Sequence, residues 1–310
     1  MIKSMVFDSA GVDQVRFKLE GSHLWLEYLF GFLCGLDGDD TGPSRSCGPA
    51  ALSTNKGRYE GKDLKVLEYN KTETDLEATW QVYDTDIHLK TRWSFCRETS
   101  VLKRSDTLIN TGNEPVVINR MMSRLTLQPG DYELYSQSSR WAYENQGKWV
   151  PLHNGKVVLG CEGGRTTQGS TPYACLREAD SEQGISIHIL PYGNWSMRFT
   201  LRSERQGNAL LVIEAGMDDE DLNMILKPGE QWSSPEILLQ PVADRCPRSA
   251  APLLHRYAYS SWFSGSKKAV PVVYNNWSDQ YDNIDIRRLR AQLAAAREIG
   301  CEVFVIDAGW

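Results

Sequence analysis

The sequence has no Cys-x-x-Cys pair, no His-x-His or His-x-x-x-His spacing and no phosphate loop with its lysine. The seven cysteines (Cys34, Cys47, Cys96, Cys161, Cys175, Cys246 and Cys301) are odd in number and irregularly spaced. That excludes a regular disulfide framework and gives no zinc-ligand pattern. The five histidines, His23, His88, His153, His188 and His255, are scattered and read as ordinary strand or surface residues. Gly160-Cys-Glu-Gly-Gly164 is glycine-rich but opens no helix, so it reads as a turn. No metal and no cofactor is expected.

A basic excess is also missing. The net charge of −6 offers no electrostatic footing for nucleic acid or an anionic membrane surface. The most apolar stretch, Leu24 to Leu36, is broken by Glu27 and too short to span a bilayer; it reads as a pair of buried strands. The first twenty residues carry Lys3, Asp8, Asp13, Arg16, Lys18 and Glu20, which is no signal-peptide core. A reduced, cytoplasmic protein with neither nucleic acid nor membrane as partner is expected.

What the chain does have is aromatic side chains and strands. Ten tryptophans and thirteen tyrosines suit surfaces that stack on the apolar C–H face of a sugar ring, as well as a large core. To about Trp262 the pattern is all-β, with no helix of three turns. Thr79–Tyr83 and Ile87–Trp93 alternate, and Ile185–Leu190, Ala209–Glu214 and Ile237–Gln240 read as further strands. Gly112, Gly130 and Gly229 are expected to take positive φ in turns, the last two after prolines. Asp37, Asp39 and Asp40, and the run Asp218 to Asp221, read as solvated loops. So many strands indicate a large β-sandwich over residues 1–265.

The period changes after Ser266-Lys-Lys268. Val270–Asn275 reads as a buried strand, Ile286–Ile299 as a helix with Asp285 as N-cap, and Val303–Ile306 as a second buried strand. Leu289, Leu293, Ala296 and Ile299 form its apolar face, and Gly300 ends it. Strand, helix, strand over 266–310 is one βαβ unit, the first of a truncated (β/α)8 barrel. In such a barrel the carboxyl ends of the strands carry binding groups. Here they hold Asn275, Asn276 and Trp277, then Asp307, Gly309 and Trp310. The amides suit sugar hydroxyls, Trp277 a stacking wall, and the carboxylate either hydroxyl donors or a neighbouring arginine.

These strand-end residues resemble the opening of the catalytic barrel in glycoside hydrolase family 36, the family of α-galactosidases. The similarity extends back to about Leu134 through Arg140-Trp-Ala-Tyr-Glu144, Arg165–Thr167 with Pro172-Tyr173, Leu226–Glu230 and Ser234–Glu236. The resemblance implies a β-supersandwich, a (β/α)8 barrel and retaining hydrolysis of terminal α-galactosides, in enzymes that often form homo-oligomers. It makes Asp307 the first of two adjacent galactose-binding aspartates and puts Trp277 near the sugar; Asn276 and Trp310, at the same strand ends, complete the expected substrate-binding residues. The second aspartate is Ala308 here, and its loss removes a charge-assisted hydrogen bond of about 1.5–3 kcal/mol. An α-N-acetylgalactosaminide is therefore an alternative substrate. The Lys-x-Asp-x-Asn nucleophile motif implied by the family is absent, and Lys62-Asp63 lacks its context, so no catalytic residue is assigned. The chain is expected to be the front of a longer enzyme and inactive alone, with Leu289, Leu293, Val303 and Val305 poorly covered. The alternative is a non-catalytic sandwich that binds carbohydrate or mediates oligomerisation.

Overall fold

The computed structural model describes residues 2–35, 48–203, 209–263 and 269–310. Alternating side chains build its strands. In Asp75–Val82, Leu76, Ala78, Trp80 and Val82 are buried while the residues between them are half-buried. Ile87–Cys96 and Val101–Asn110 repeat that period of two. Met1–Tyr259 forms one compact unit and Ser260–Trp310 a second. The boundary expected at 265/266 lies outside the described residues, as do Cys47 and the acidic loop Asp37–Asp40.

The first unit contains three antiparallel sheets among the described residues. The ten-stranded sheet runs from the edge strand Tyr143–Pro151 through Tyr132–Arg140, Gly169–Glu178, Gly184–Leu190, Glu236–Val242, Val101–Asn110, Ile87–Cys96 and Asp75–Val82 to Leu64–Lys71, with Gln231–Ser233 paired to Val101–Asn110. The seven-stranded sheet runs Gly155–Cys161, Trp195–Ser203, Ala209–Met217, Val116–Leu127, Ala50–Thr54, Gly57–Glu60, with Met224–Leu226 beside Val116–Leu127. Four further strands span residues 2–33, among them the pair expected in Leu24–Leu36, here His23–Leu29 and Phe32–Leu33. One continuous apolar cluster draws on all three sheets and includes Phe7, Trp80, Trp195 and Phe199. Phe7 stacks on Phe95 at 5.8 Å, and Phe17 lies 5.4 Å from Trp93.

A polar seam crosses this core. Asp106 accepts from Arg104 Nε at 2.8 Å and from the Thr91 and Ser123 hydroxyls, so donors come from both large sheets. Arg104 also donates to the Arg124 carbonyl at 2.8 Å and lies 4.6 Å over the Trp93 ring. Arg124 in turn pairs with Glu214 at 3.0 Å and Glu60 at 3.1 Å. Buried charges require such partners. Elsewhere in the ten-stranded sheet, His188 carries the Tyr173 ring at 4.6 Å, and burial holds its pKa down to about 4.

Several expectations change here. Ala251–Trp262 is a twelve-residue helix, where an all-β pattern was expected. Pro252 falls in its first turn, where a missing N–H costs nothing. Only Tyr257 is buried on it, against Val101 and Leu238, so no wide apolar stripe marks it in the sequence. Gly229 has φ +75° as expected, but Gly112 and Gly130 do not take positive φ. At Gly112 the requirement is space, because a Cβ would stand 2.7 Å from the Asp86 side chain. Asp218 and Asp219 are not solvated. Asp219 accepts from Arg198 at 2.9 Å, and Arg120 lies at 3.5 Å. Burial pushes the Asp219 carboxyl up, and its hydrogen bond and charge contact with Arg198 outweigh this and hold it below its ordinary value.

In the second unit, strand Val273–Asn275 pairs in parallel with Val303–Val305, and helix Ile286–Glu298 lies between them in sequence. The Asp285 side chain caps that helix by accepting from Arg288 N at 2.8 Å, and Gly300 takes φ +85° after it. The strands are shorter and more open than expected. Val270 is 90 % exposed, and Val272, Val273, Val303 and Ile306 are all exposed. The buried stripe of the helix reduces to Leu289 and Ala296, with Leu293 and Ile299 exposed. Leu289 is thus better covered than expected. Leu289 and Ala296, seven apart, lie on one helical line, so a single row of the expected face is covered.

Candidate functional site

Two strand ends meet at the carboxyl edge of the parallel pair. The register sets Asn275 against Val305, and just past that pair one strand turns into the short helix Trp277–Gln280 while the other carries Asp307. Asn276 N–H donates to the Val305 carbonyl at 3.2 Å, which carries the ladder one residue beyond the strand.

The polar groups then interlock. Asn275 Nδ2 donates to Asp307 Oδ2 at 2.7 Å, and Asn275 Oδ1 accepts from Trp277 N at 2.8 Å. Asn276 Oδ1 accepts from Asp307 N at 2.7 Å, and Asp307 Oδ1 accepts from Ala308 N at 2.9 Å. Each asparagine therefore fixes a backbone N–H, and Asn275 also orients the carboxylate. Gly309 is required by geometry: its φ is +97°, and a Cβ there would collide with the Asp282 carbonyl. The segment 276–285, which opens with the short helix Trp277–Gln280, is braced by Gln280, which donates to Gln292 at 2.8 Å and accepts from Asp285 N at 2.8 Å.

The expected residues land differently within this cluster. Asp307 is half-buried, and each carboxylate oxygen accepts one of the hydrogen bonds above, leaving lone pairs for further donors. Of the two donors expected for it, a substrate hydroxyl or a neighbouring arginine, the protein supplies an amide instead. Asn276 is fully buried, and its Nδ2 has no partner among the described residues. Its role is to hold the Asp307 backbone. Trp277 is partly exposed and meets Tyr281 edge-to-face at 5.4 Å. Trp310 is 92 % exposed and joins the cluster through no hydrogen bond or ring contact among the described residues. Beneath the site Tyr274 stacks on Phe304 at 5.2 Å, a cross-strand pair that sequence reasoning did not single out. The signal was available, since both aromatics lie one residue before the strand ends.

Chemically the arrangement is a carboxylate acceptor, oriented by amides, beside an indole face. No group of three or more potential metal ligands occurs among the described residues.

Comparison with known proteins gives a consistent result. The family model described as "Glycosyl hydrolase family 36 N-terminal domain" matches residues 44–226. The match begins well before Leu134, where the motif resemblance starts. Alpha-galactosidase Mel36A of Lactobacillus acidophilus is 23% identical over 264 residues, covering 81% of this chain and 35% of its own length. Alpha-galactosidase AgaA of Geobacillus stearothermophilus is 22% identical, with 82% of this chain and 35% of its own length covered. The crystal structure of AgaA aligns with 99% of this chain and 50% of that one, at TM-score 0.78 and 16% identity. The galactosidase domain of the alpha-galactosidase-sucrose kinase AgaSK aligns with TM-score 0.77 at 17% identity, covering 99% of this chain and 50% of that one. The chain thus spans about a third of the length of these curated relatives and half of the solved structures. An AgaA variant has been solved with raffinose and another with stachyose. With its sandwich matched over most of its length, this chain belongs to glycosyl hydrolase family 36.

Proposed function

We propose that this chain is the amino-terminal part of an α-galactoside hydrolase whose substrates are oligosaccharides with a terminal α-galactosyl unit. Support comes from the family membership, from relatives named as alpha-galactosidases, and from the third of their length that the chain spans. On this reading the strand–helix–strand of the second unit opens a (β/α)8 barrel. The nucleophile and the acid/base lie on polypeptide outside these 310 residues. The six cysteines among the described residues form no disulfide there, which suits a reducing cytoplasm. A homo-oligomer is part of the proposal, and the hairpin turn with Trp141 at 82 % exposure offers apolar surface for a second copy.

The observation that carries the site is the Asp307 carboxylate, oriented by Asn275 at 2.7 Å and still able to accept from a ligand. Sugar hydroxyls are the donors it awaits, and the exposed part of Trp277 supplies a wall for the apolar ring face. Trp310 borders the same edge of the strand pair. Ala308 offers no second carboxylate, which leaves room beside the sugar and admits an α-N-acetylgalactosaminide as an alternative.

The test is a tryptophan-fluorescence titration of the 310-residue chain with galactose, alongside an aryl α-galactoside turnover assay. A saturable response lost in Asp307→Ala, with no turnover, is the expected result. Turnover by the chain itself would overturn the placement of the catalytic pair. A galactose response indifferent to Asp307→Ala would remove Asp307 from the site.

A further inference from the structure

Tyr281 closes the short helix Trp277–Gln280 in a backbone conformation that its side chain disfavours. Its φ is +51° and its ψ −129°, and two residues on Asn283 N–H donates to the Gln280 carbonyl at 3.1 Å. Those angles and that hydrogen bond are the signature of a type II′ turn over residues 280–283. The first central position of such a turn belongs to glycine, because a Cβ there crowds the backbone. A tyrosine in that place holds backbone strain.

The turn is kept from relaxing on several sides. Tyr281 N–H donates to the Trp277 carbonyl at 2.8 Å. The Gln280 side chain donates to Gln292 and accepts from Asp285 N–H, both at 2.8 Å. Asp279 accepts from Arg288 and Gln292, which lie on helix Ile286–Glu298. Gly309 makes room for the turn on its other flank, since a Cβ there would collide with the Asp282 carbonyl. The turn is thereby seated against the segment that follows Asp307.

What the strain maintains is an exposed ring. Two aromatic residues among the described ones have a positive φ, and their surroundings differ. Phe30, at φ +49°, is buried in the sandwich core, where packing offsets the strain. Tyr281 is 57 % exposed, and its ring meets Trp277 edge-to-face at 5.4 Å with the planes 78° apart. Burial accounts for the first residue and leaves the second without a reason inside the fold. Strain held at an exposed aromatic beside a candidate site points to a ligand.

On the reading of these strand ends as an α-galactoside site, we infer that Tyr281 is its second aromatic wall, standing close to a right angle to Trp277 and touching the same galactopyranose. A pyranose offers an apolar C–H face to one ring and a rim of C–H bonds and hydroxyls to whatever stands beside it. Trp277 takes the face and Tyr281 the rim, where the phenol hydroxyl can also bond a sugar oxygen. Asp307, held by Asn275 at 2.7 Å, accepts from a hydroxyl of the same sugar.

The experiment titrates galactose into the 310-residue chain and its variants by tryptophan fluorescence, and follows hydrogen exchange of amides 276–310 in the same proteins. Tyr281→Gly is expected to weaken galactose about tenfold. Its amides 276–310 stay at least as well protected as in wild type, because glycine relieves the strained φ as it removes the ring. Tyr281→Phe keeps the ring and stays within about threefold of wild-type affinity. Faster exchange in Tyr281→Gly would overturn the inference, since the tyrosine would then hold the loop and not the sugar. Wild-type affinity in Tyr281→Gly would overturn it too; with the response still lost in Asp307→Ala, the sugar site would stand and Tyr281 alone would leave it. A wild-type chain with no saturable response would overturn both.

Discussion

Asp106 in the sandwich and Asp307 in the second unit are both carboxylates held by designed hydrogen bonds, and they differ in what is left over. Asp106 accepts from Arg104, Thr91 and Ser123 and is buried, so its partners all come from within and no outside donor reaches it. Asp307 is half-buried and takes two neutral donors, an amide and a backbone N–H. The first arrangement is what a carboxylate needs to be tolerated inside a protein. The second keeps a carboxylate oriented and available. The difference between a carboxylate that holds structure and one that binds is read from acceptor capacity left within reach of solvent, since charge and residue type are the same in both.

The largest effect expected from this contrast is at Asp106. Asp106→Ala leaves the Arg104 guanidinium buried beside Trp93 without its counter-charge, at a cost of about 3–5 kcal/mol. Urea unfolding checks this, with a lower midpoint at unchanged slope as the outcome. An equal loss in Asp307→Ala would erase the comparison, because that carboxylate is expected to matter to stability by less than about 0.5 kcal/mol.

A second effect uses pH. His188 has its folded pKa at about 4, below the ordinary value near 6.5. Its unfolded form binds a proton first as pH falls, so stability is full above about 6.5 and declines down to about 4. The decline amounts to about 3 kcal/mol. Unfolding of wild type and His188→Gln across that window measures it, and the substitution should remove most of the slope.

Gly309 gives a third, local effect. Gly309→Ala meets both a positive φ and the Asp282 carbonyl, a strain of about 1–3 kcal/mol. It should disturb the loop that carries Asp307 while leaving the sandwich melt unchanged, as hydrogen exchange of amides 276–310 against those of the sheets would report. Smallest of all, Leu293→Gln on the exposed flank of the second-unit helix should shift stability by under about 0.5 kcal/mol. A larger loss would mean that this face is covered in the folded protein.

How much of this was legible in the sequence depends on the range of the interaction. The alternation at Thr79–Tyr83 and the helix capped by Asp285 are local patterns; the helix stands where expected, and the strand holds the alternation but begins earlier, at Asp75. The helix Ala251–Trp262 was missed because one tyrosine anchors it rather than a stripe. Asp219 finds Arg198 from just past the neighbouring strand, and Asp106 takes Thr91 from the next strand and Ser123 from the other large sheet; composition carries no trace of such partners. At the site, sequence position placed Asn275, Asn276, Trp277 and Asp307 on two neighbouring strand ends. It could not divide the labour between the two asparagines, because only the register decides which amide reaches the carboxylate and which the backbone.

The Asn275 amide has a further consequence, one of lifetime. Asparagine is among the residues that heat degrades. Hydrolysis of this one side chain would replace a donor 2.7 Å from Asp307 by a second carboxylate. Two like charges at that separation repel, and the hydrogen bond that orients Asp307 would be lost. An aged or heated preparation would then carry an acid pair where the fresh protein has an amide and a base, with no visible change in fold. Batches of different thermal history would differ in how the site meets a sugar, and the mass difference of a single deamidation would be the only outward sign.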